Sequence, residues 1–534
     1  MTTVLIHLTV LDLLYGCGFR IASFQCCASR TEKEEQPMSR KISPIFCVGF
    51  LLFWGACMLL SAKAQETQGE ATVPLIYTAY TTGQGALHGG TPLWHHANTY
   101  GRVQNDSQTN WLSGFTIEMP HQQLRFVDVT SGLELTSRVS DAGNSTHFSQ
   151  IYGSLQYQGV RFRIGRFKHT LGGHGGAISM GSMMTSGNAT PVPKIELSTP
   201  LFFNIPLSNG RLQAKIYWSE GKLESNRHIP SARLHQKALH LRALIGNVKL
   251  VGGLIQSLQW GGDGRPNGFS QYQDILFNPK GGGGENTVAI YEVGAEVDSD
   301  VWEFRVHRQF FLEDWIGLLL RSPWDGIWSF EARRESDSQM WMEGVLYEFM
   351  NTIQQDALPG LPEGRVGYYT HHTYRSGWTY HGNTIGNPLI RNPGFRSLSQ
   401  TNFQTREGVA DIQPSPNTMV IAHHLGLRGQ PTARTEYEAR FTYSRNYGVC
   451  QDQIVSGQGA CFIGSGNEIP PDLETIPRSQ LRQDQYATML NVRYLLSEAY
   501  GMRLRSSVAV DWGEFDGTQI GVMLGLQWDG TVNL

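Results

Sequence analysis

The chain has 534 residues and a formal net charge of −3 at pH 7, which provides no concentrated basic surface and argues against nucleic acid as a partner. A mean hydropathy of −0.28 excludes a bundle of membrane helices. Charged residues make up only 17% of the chain, whereas 60 glycines and an aromatic content of 11% are high. This composition favours a sheet with one apolar face and one polar face.

The segment that begins at Met38, MSRKISPIFCVGFLLFWGACMLLSAKAQ, has the three parts of a secretory signal peptide. Basic residues at 40 and 41 precede an apolar run over 45–60, and residues 62–64 form an A-x-A cleavage site. We predict that residues 1–37 are either a spurious extension from an upstream start codon or a dispensable one, that 38–64 are the signal peptide and that the mature chain begins at Gln65. A membrane anchor over 42–62 is the alternative to cleavage.

After residue 64 no apolar run approaches the roughly 18 residues of a membrane helix, so a mature chain embedded in a membrane has to form a closed β-barrel. Period-two patterns of about nine to eleven residues, the length of a tilted membrane strand, recur in the C-terminal third. They are clearest in GMRLRSSVAVDWG, IGVMLGLQW, EYEARFTYS and YATMLNVRY. In the first of these, the residues predicted to face lipid are Met502, Leu504, Ser506, Val508, Val510 and Trp512.

Earlier segments alternate less clearly, as in YGSLQYQGVRFRIGRFKH, where Val160, Phe162 and Ile164 oppose Arg161, Arg163 and Gly165. The predicted fold is all-β: a transmembrane antiparallel outer-membrane barrel of about 16 to 18 strands, with 18 favoured. We assign the barrel to residues 91–534 and a short N-terminal segment to 65–90. Long loops are predicted at 262–287, 355–367, 391–416 and 446–482, and a soluble β-sandwich is the alternative fold.

Cysteines fall into two groups along the chain. Five lie within the first 57 residues, and the other two, Cys450 and Cys461, close the short polar stretch CQDQIVSGQGAC. We predict that these two form a disulfide, which needs an oxidising compartment; two free surface thiols are the alternative.

Several arginines lie on the predicted inner face, among them Arg161, Arg163, Arg503 and Arg505. They either attract an acidic polymer or solute, or pair with acids of the bore such as Glu436 and Glu438. The sequence leaves both interpretations open.

No segment predicts catalysis, a metal or a cofactor. Ser179 in AISMG resembles a nucleophile elbow, but no helix follows it. The histidine pairs at 95–96, 371–372 and 423–424 are poor chelators on a strand, because adjacent side chains there point to opposite faces.

The chain contains, in order, the segments PLWHHANTYGRV, GRFKHTLGG, SGNATPVPKIELSTPLFFNIP, LHQKALHLR, GGLIQSLQWGG, FFLEDWIGLLLRSPWDGIWSFEARR, EGVLYEFMNTIQQ and YTHHTYRSGWTYHGNTIGNPL. In combination these eight segments resemble the Wzi-like capsule assembly proteins in the form found in Bacteroidetes and related phyla. The resemblance runs from about residue 85 to the C-terminus. It implies an 18-stranded outer-membrane barrel of a Gram-negative (diderm) bacterium, which binds exported polysaccharide and helps to assemble or anchor it on the cell surface.

The last segment contains GWTYHGNTIGNPL, residues 377–389, which we expect inside or at the mouth of the barrel. There it either contacts glycan or fixes a loop across the bore. Its candidate residues are Trp378, Tyr380, Asn383 and Asn387.

The partners expected from the resemblance are capsular or exported polysaccharide, outer-membrane lipid and the polysaccharide-export machinery, with the protein as a monomer. A porin-like channel for small or acidic solutes is the alternative function, and an outer-membrane enzyme is a third.

Overall fold

A computed structural model describes residues 74–533 except 125, 174–175, 278–284, 314–321, 335–339, 356–367, 372, 392–416, 452–459 and 463–481. Its helices are α1 (Leu93–His96) and α2 (Phe269–Phe277), with a 3₁₀ turn at Gly176–Ile178. No helix in these ranges is long and apolar enough to cross a membrane. The strands are β1 (Pro74–His88), β2 (Thr109–Leu124), β3 (Val127–Ser140), β4 (Ser145–Tyr157), β5 (Val160–Arg166), β6 (Lys194–Ser198), β7 (Phe203–Asn204), β8 (Leu212–Lys222), β9 (Arg233–Ile245), β10 (Val248–Trp260), β11 (Asn286–Asp298), β12 (Trp302–Glu313), β13 (Gly326–Arg334), β14 (Met340–Asn351), β15 (Thr379–Tyr380), β16 (Asn383–Thr384), β17 (Val420–Thr432), β18 (Thr435–Asn446), β19 (Val449–Gln451), β20 (Ala460–Phe462), β21 (Gln483–Ser497), β22 (Met502–Gly513) and β23 (Gln519–Asn533).

The main sheet closes on itself, because β1 pairs along its length with β23 as well as with β2. All of its neighbouring strands are antiparallel. β6 and β7 pair with the same partner, β8, and together make one interrupted strand. The described residues therefore form an 18-strand antiparallel barrel, which confirms the predicted fold class.

The barrel begins earlier than the sequence predicted. β1 lies within residues 65–90, which we had assigned to a separate segment, so the barrel does not start at 91. The strand alternates between small and polar residues (PLIYTAYTTGQGALH), which makes its period-two signal faint. Backbone hydrogen bonds to two full-length neighbours hold it instead.

The two ends of the barrel differ in their connections. At the end that holds both termini the turns are short, such as Gln158-Gly159 between β4 and β5, where both residues have positive φ (47° and 81°). This is the type I′ geometry of two-residue hairpins. At the other end, long connections lie between β5 and β6, between β10 and β11, and between β14 and β17. Outer-membrane barrels keep short turns in the periplasm, so we name the ends periplasmic and extracellular accordingly.

The outer wall carries the apolar rows that the sequence predicted. Val508, Phe162 and Ile164 are among its exposed apolar side chains. Near the extracellular end, six rings on adjacent strands lie directly opposite one another across the sheet, as in an interfacial aromatic girdle. They are Trp512, Tyr486, Tyr443, His423, Phe349 and Trp328.

The extracellular half of the bore is filled. Long connections fold inward and pack Met183, Met184 and Trp378 against inward-facing strand residues such as Ile255 and Met350. The periplasmic half is lined by charged side chains instead, as described below.

Candidate functional site

Residues 377–389 fold into the extracellular half of the bore. β15 and β16 form a hairpin that turns at His381 and Gly382, both with positive φ (48° and 78°). Glycine tolerates this conformation at low cost. Further along, Gly386 approaches Tyr369 and Met183 so closely that a Cβ atom would collide with both.

Trp378 and Asn387 hold this segment in place. Both side chains are fully buried. The Trp378 indole N–H donates to the Met184 carbonyl at 3.0 Å, and Asn387 Nδ2 donates to the Gly181 carbonyl at 2.8 Å. The two residues therefore join the segment to the long connection after β5 and have no exposed surface to offer a ligand.

That connection is in turn fixed to the barrel wall. Glu348, which points inward from β14, accepts hydrogen bonds from Ser179 Oγ at 2.9 Å and from the Met180 N–H at 2.7 Å. His424 Nε2 donates to the Ile178 carbonyl at 2.8 Å. The filling of the bore is thus a bonded structure with its own core, which we call the plug.

A polar pocket of about 340 Å³ lies between the plug and the wall at the extracellular mouth. The turn of the β15–β16 hairpin forms one side, and strands β3, β4 and β5 contribute their extracellular ends. Asn383 is the one predicted candidate that lines it directly, and Tyr380 lies behind it with its Oη accepting from Arg166 at 3.2 Å. The pocket is lined by Gly101, Val103, Gln104, Asn105, Asp106, Arg138, Ser145, His147, Arg166, Thr190, His381, Gly382 and Asn383.

Three polar atoms of this pocket are buried without a hydrogen-bond partner. They are Gln104 Oε1, Arg138 Nε and Ser145 Oγ. An unsatisfied buried polar group costs about 1–3 kcal/mol. Their presence around one cavity indicates a site that is completed by a ligand with hydroxyl groups or by water.

The pocket has two arginines that are not neutralised by a bonded acid. In the described part of the chain, Arg138 and Arg166 form no salt bridge with a carboxylate; Arg166 donates to the Phe148 carbonyl at 3.1 Å and to Tyr380. Asp106 lies on the same lining. Burial lowers the pKa of His381; the nearby Glu224 opposes this effect, and Arg166 adds to it.

The other predicted arginines lie on the inner wall toward the periplasmic end. Arg161 and Arg163 each donate to the fully buried Glu196 at 2.8 Å. Arg503 pairs with Asp529, and Arg505 is a half-buried neighbour on the same strand. The structure therefore does not bring these four residues together with the residues of 377–389.

Arg493 shows which contacts the acids of the bore make. Its guanidinium lies 3.1 Å from Glu436 and 3.2 Å from Glu438. Pairing with these two acids was one of the two interpretations that the sequence left open.

Sequence reasoning missed Gln104, Arg138 and Ser145 as pocket residues. Gln104 directly follows the segment PLWHHANTYGRV, which carried part of the family resemblance, and that is the only signal we find for it. Arg138 and Ser145 lie in ordinary strands, where nothing in the sequence marks the pocket.

The histidine and serine motifs serve the plug. Ser179 bonds to Glu348, and His95, which lies on α1 rather than on a strand, contacts Ser507 Oγ at 3.1 Å. His423 faces outward and His424 inward, as alternation requires. His372 lies outside the described residues. Among those described, no three potential metal ligands cluster.

Cys450 and Cys461 lie directly opposite each other in the β19–β20 hairpin. Only the backbone is described there, so the disulfide stays a prediction. The predicted loops at 355–367 and 391–416 lie almost wholly outside the described residues.

Comparisons with solved structures and known families bear on this architecture. The sequence model described as capsule assembly protein Wzi matches residues 67–320. Wzi of Escherichia coli, an outer-membrane protein involved in group 1 capsule assembly and a carbohydrate-binding β-barrel, shares 15% identity over 90% of this chain and 87% of its own, with a TM-score of 0.49. OprD of Pseudomonas aeruginosa shares 9% identity over 88% and 98%, with a TM-score of 0.42. OccAB2 of Acinetobacter baumannii shares 8% over 86% and 98%, with a TM-score of 0.43. A search among curated proteins found no match.

The location follows from the barrel itself. A closed sheet leaves no unpaired edge, and its apolar outer wall and ring girdle suit lipid. The protein lies in the outer membrane of a Gram-negative bacterium. The match over residues 67–320 confirms the resemblance of this chain to the Wzi family of capsule assembly proteins.

Proposed function

We propose that this protein binds exported capsular or extracellular polysaccharide at its extracellular mouth and helps to assemble or anchor it on the cell surface. The observation that carries the proposal is the mouth pocket, with its three unpartnered polar atoms and two arginines without a bonded carboxylate. The match of residues 67–320 to the Wzi family model and the carbohydrate binding of the Escherichia coli Wzi barrel support it.

The chemistry of the pocket suits a sugar. Sugar hydroxyls both donate and accept hydrogen bonds, and the unpartnered set provides an acceptor at Gln104 Oε1, a donor at Arg138 Nε and a hydroxyl at Ser145. The volume of about 340 Å³ is at the lower end of the range of small-molecule sites. The pocket therefore accommodates a short part of a polymer whose remainder stays outside.

A channel for small or acidic solutes is the second candidate, because the barrel has a charged inner wall. The packed plug argues against it, since Trp378, Met183 and Met184 fill the extracellular half without exposure. We expect little steady current through the protein in a planar bilayer. A stable porin-like conductance would favour the channel.

We further propose that the protein is not an enzyme. Ser179, the serine in a nucleophile-like sequence, donates to a carboxylate rather than to a histidine. The polysaccharide-export machinery is the second partner that we propose, and we expect a monomer surrounded by outer-membrane lipid. We expect no nucleic-acid partner.

Deletion of the gene, followed by comparison of cell-bound with shed polysaccharide, tests the role. We expect deletion to move most of the polymer into the medium and the wild-type gene to restore it. The double variant Arg138→Gln/Asn383→Ala should fail to restore retention. Its matched control at the periplasmic end is Arg211→Gln/Asn204→Ala, which should succeed. Unchanged retention after deletion would contradict the proposal.

A further inference from the structure

A second cavity lies on the outside of the barrel, near its extracellular rim. It has a volume of about 580 Å³. Ile164 and Ile195, both exposed on the lipid-facing side of β5 and β6, line it, together with Lys222 and Arg233 from the ends of β8 and β9. The cleft thus joins the apolar outer wall to a cationic upper edge.

The two cations occupy an unusual arrangement. Lys222 and Arg233 lie directly opposite each other in the β8–β9 ladder. Like charges at such positions destabilise a sheet. Within the described residues neither side chain forms a salt bridge, and Arg233 instead lies 4.8 Å over the ring of Trp260. An anion between them would relieve the repulsion.

The acids nearby do not fill that role. Glu220 lines the cleft but accepts from the Trp260 indole at 2.9 Å and contacts His235 Nδ1 at 3.0 Å. Asp263 also lines the cleft, with Asn267 beside it, in the connection that leads into α2. The Asp263 carboxylate and the Asn267 amide can form hydrogen bonds with hydroxyl or amide groups of a ligand, next to its anionic group.

Helix α2 forms a neighbouring part of the same outer surface. Its Ile275 covers Leu258 and Trp260, which face outward from β10. Lys237 donates to the carbonyls of Ile275 and Leu276 at 2.8 and 2.9 Å and so stabilises the C-terminal end of the helix. The helix therefore lies against the outside of the barrel, near its extracellular rim.

We propose that this cleft binds a phosphorylated, acylated glycolipid of the outer leaflet. The phosphate lies between Lys222 and Arg233, the sugar headgroup faces Asp263 and Asn267, and an acyl chain follows Ile164 and Ile195. Continuity with the lipid-facing wall selects a lipid over a soluble ligand. The site is separate from the mouth pocket and independent of the proposed glycan binding.

Native mass spectrometry of the full-length protein in detergent tests the proposal. The protein is mixed with a bis-phosphorylated hexa-acyl glucosamine disaccharide lipid, with its enzymatically dephosphorylated form, or with inorganic phosphate. We expect one tightly held phosphorylated lipid, at least tenfold weaker binding of the dephosphorylated lipid, and no retention of inorganic phosphate.

Lys222→Gln/Arg233→Gln should weaken binding of the phosphorylated lipid at least tenfold. Arg211→Gln/Arg434→Gln, which removes two exposed cations from periplasmic turns, should leave it unchanged. Equal binding of both lipid forms would overturn the proposal without any variant. Full binding by the cleft variant, or inorganic phosphate retained as tightly as the lipid, would also overturn it.

Discussion

The two halves of the bore of this 18-strand barrel are filled in different ways. The extracellular half holds a folded plug with an apolar core, and its polar groups near the mouth are incompletely bonded. The periplasmic half is lined by arginines whose acids are bonded to them, such as Glu196 with Arg161 and Arg163. Three unpartnered polar atoms surround one cavity at the mouth, where a ligand from outside can reach them, so we place glycan binding there.

The plug is the part of this comparison that is most sensitive to mutation. Trp378→Ala removes a fully buried indole from the core and leaves the Met184 carbonyl without its donor. We expect the free energy of unfolding to fall by about 3–5 kcal/mol. Chemical unfolding in lipid vesicles measures it. The control Trp324→Ala, at a side chain 69% exposed, should change it by less than about 0.5 kcal/mol.

An unchanged free energy in Trp378→Ala would mean that the plug does not contribute to the stability of the barrel. The two halves would then differ only in their composition.

Removal of one acid should destabilise the periplasmic half. Glu196→Gln leaves Arg161 and Arg163 without their shared carboxylate on a partly buried wall. We expect a loss of about 3 kcal/mol in the same unfolding measurement. Glu498→Gln in an exposed periplasmic turn is the control. The folded Glu196 variant should still bind glycan, and lost glycan binding would place function in this half as well.

Low pH should lower the stability of the extracellular half through the buried histidine of α1. Burial lowers the pKa of His95 from 6.5 to about 4, and neighbouring His96 adds to the effect. Between those two values the unfolded chain binds a proton that the folded protein does not. Stability is therefore complete above pH 6.5 and falls toward pH 4, by on the order of 3 kcal/mol.

Unfolding measured from pH 7.5 to pH 4 tests this dependence. His95→Gln should reduce the slope over that range without abolishing it, because burial also lowers the pKa of His96 to about 4. An unchanged slope in the variant would assign the pH dependence to other groups.

The wall of the barrel could be predicted from the sequence, and its filling could not. Alternation such as that from Met502 to Trp512 follows from each strand facing lipid on one side and the bore on the other. The plug depends on contacts across long separations, such as Trp378 with Met184, 194 residues apart. No local sequence pattern predicts such a contact.

The mouth pocket shows the same limit. Asn383 could be singled out because it lies in a distinctive segment, whereas Arg138 and Ser145 come from plain strands that the closed sheet brings beside it. The sequence did not predict β1 as a barrel strand because its two faces differ little in polarity. For the arginines of the bore the sequence left two roles open, attraction of an acidic ligand or pairing with acids of the bore. Only the folded chain identifies the residues that they contact.

Equilibrium titration of the purified protein with oligosaccharides cut from the surface polysaccharide of the same cells tests the central claim most directly. We expect saturable binding by the wild type and by the Arg211→Gln/Asn204→Ala control. Arg138→Gln/Asn383→Ala should bind about a hundredfold more weakly, or roughly 3 kcal/mol. Equal binding by all three proteins, or none by the wild type, would contradict glycan recognition at the mouth.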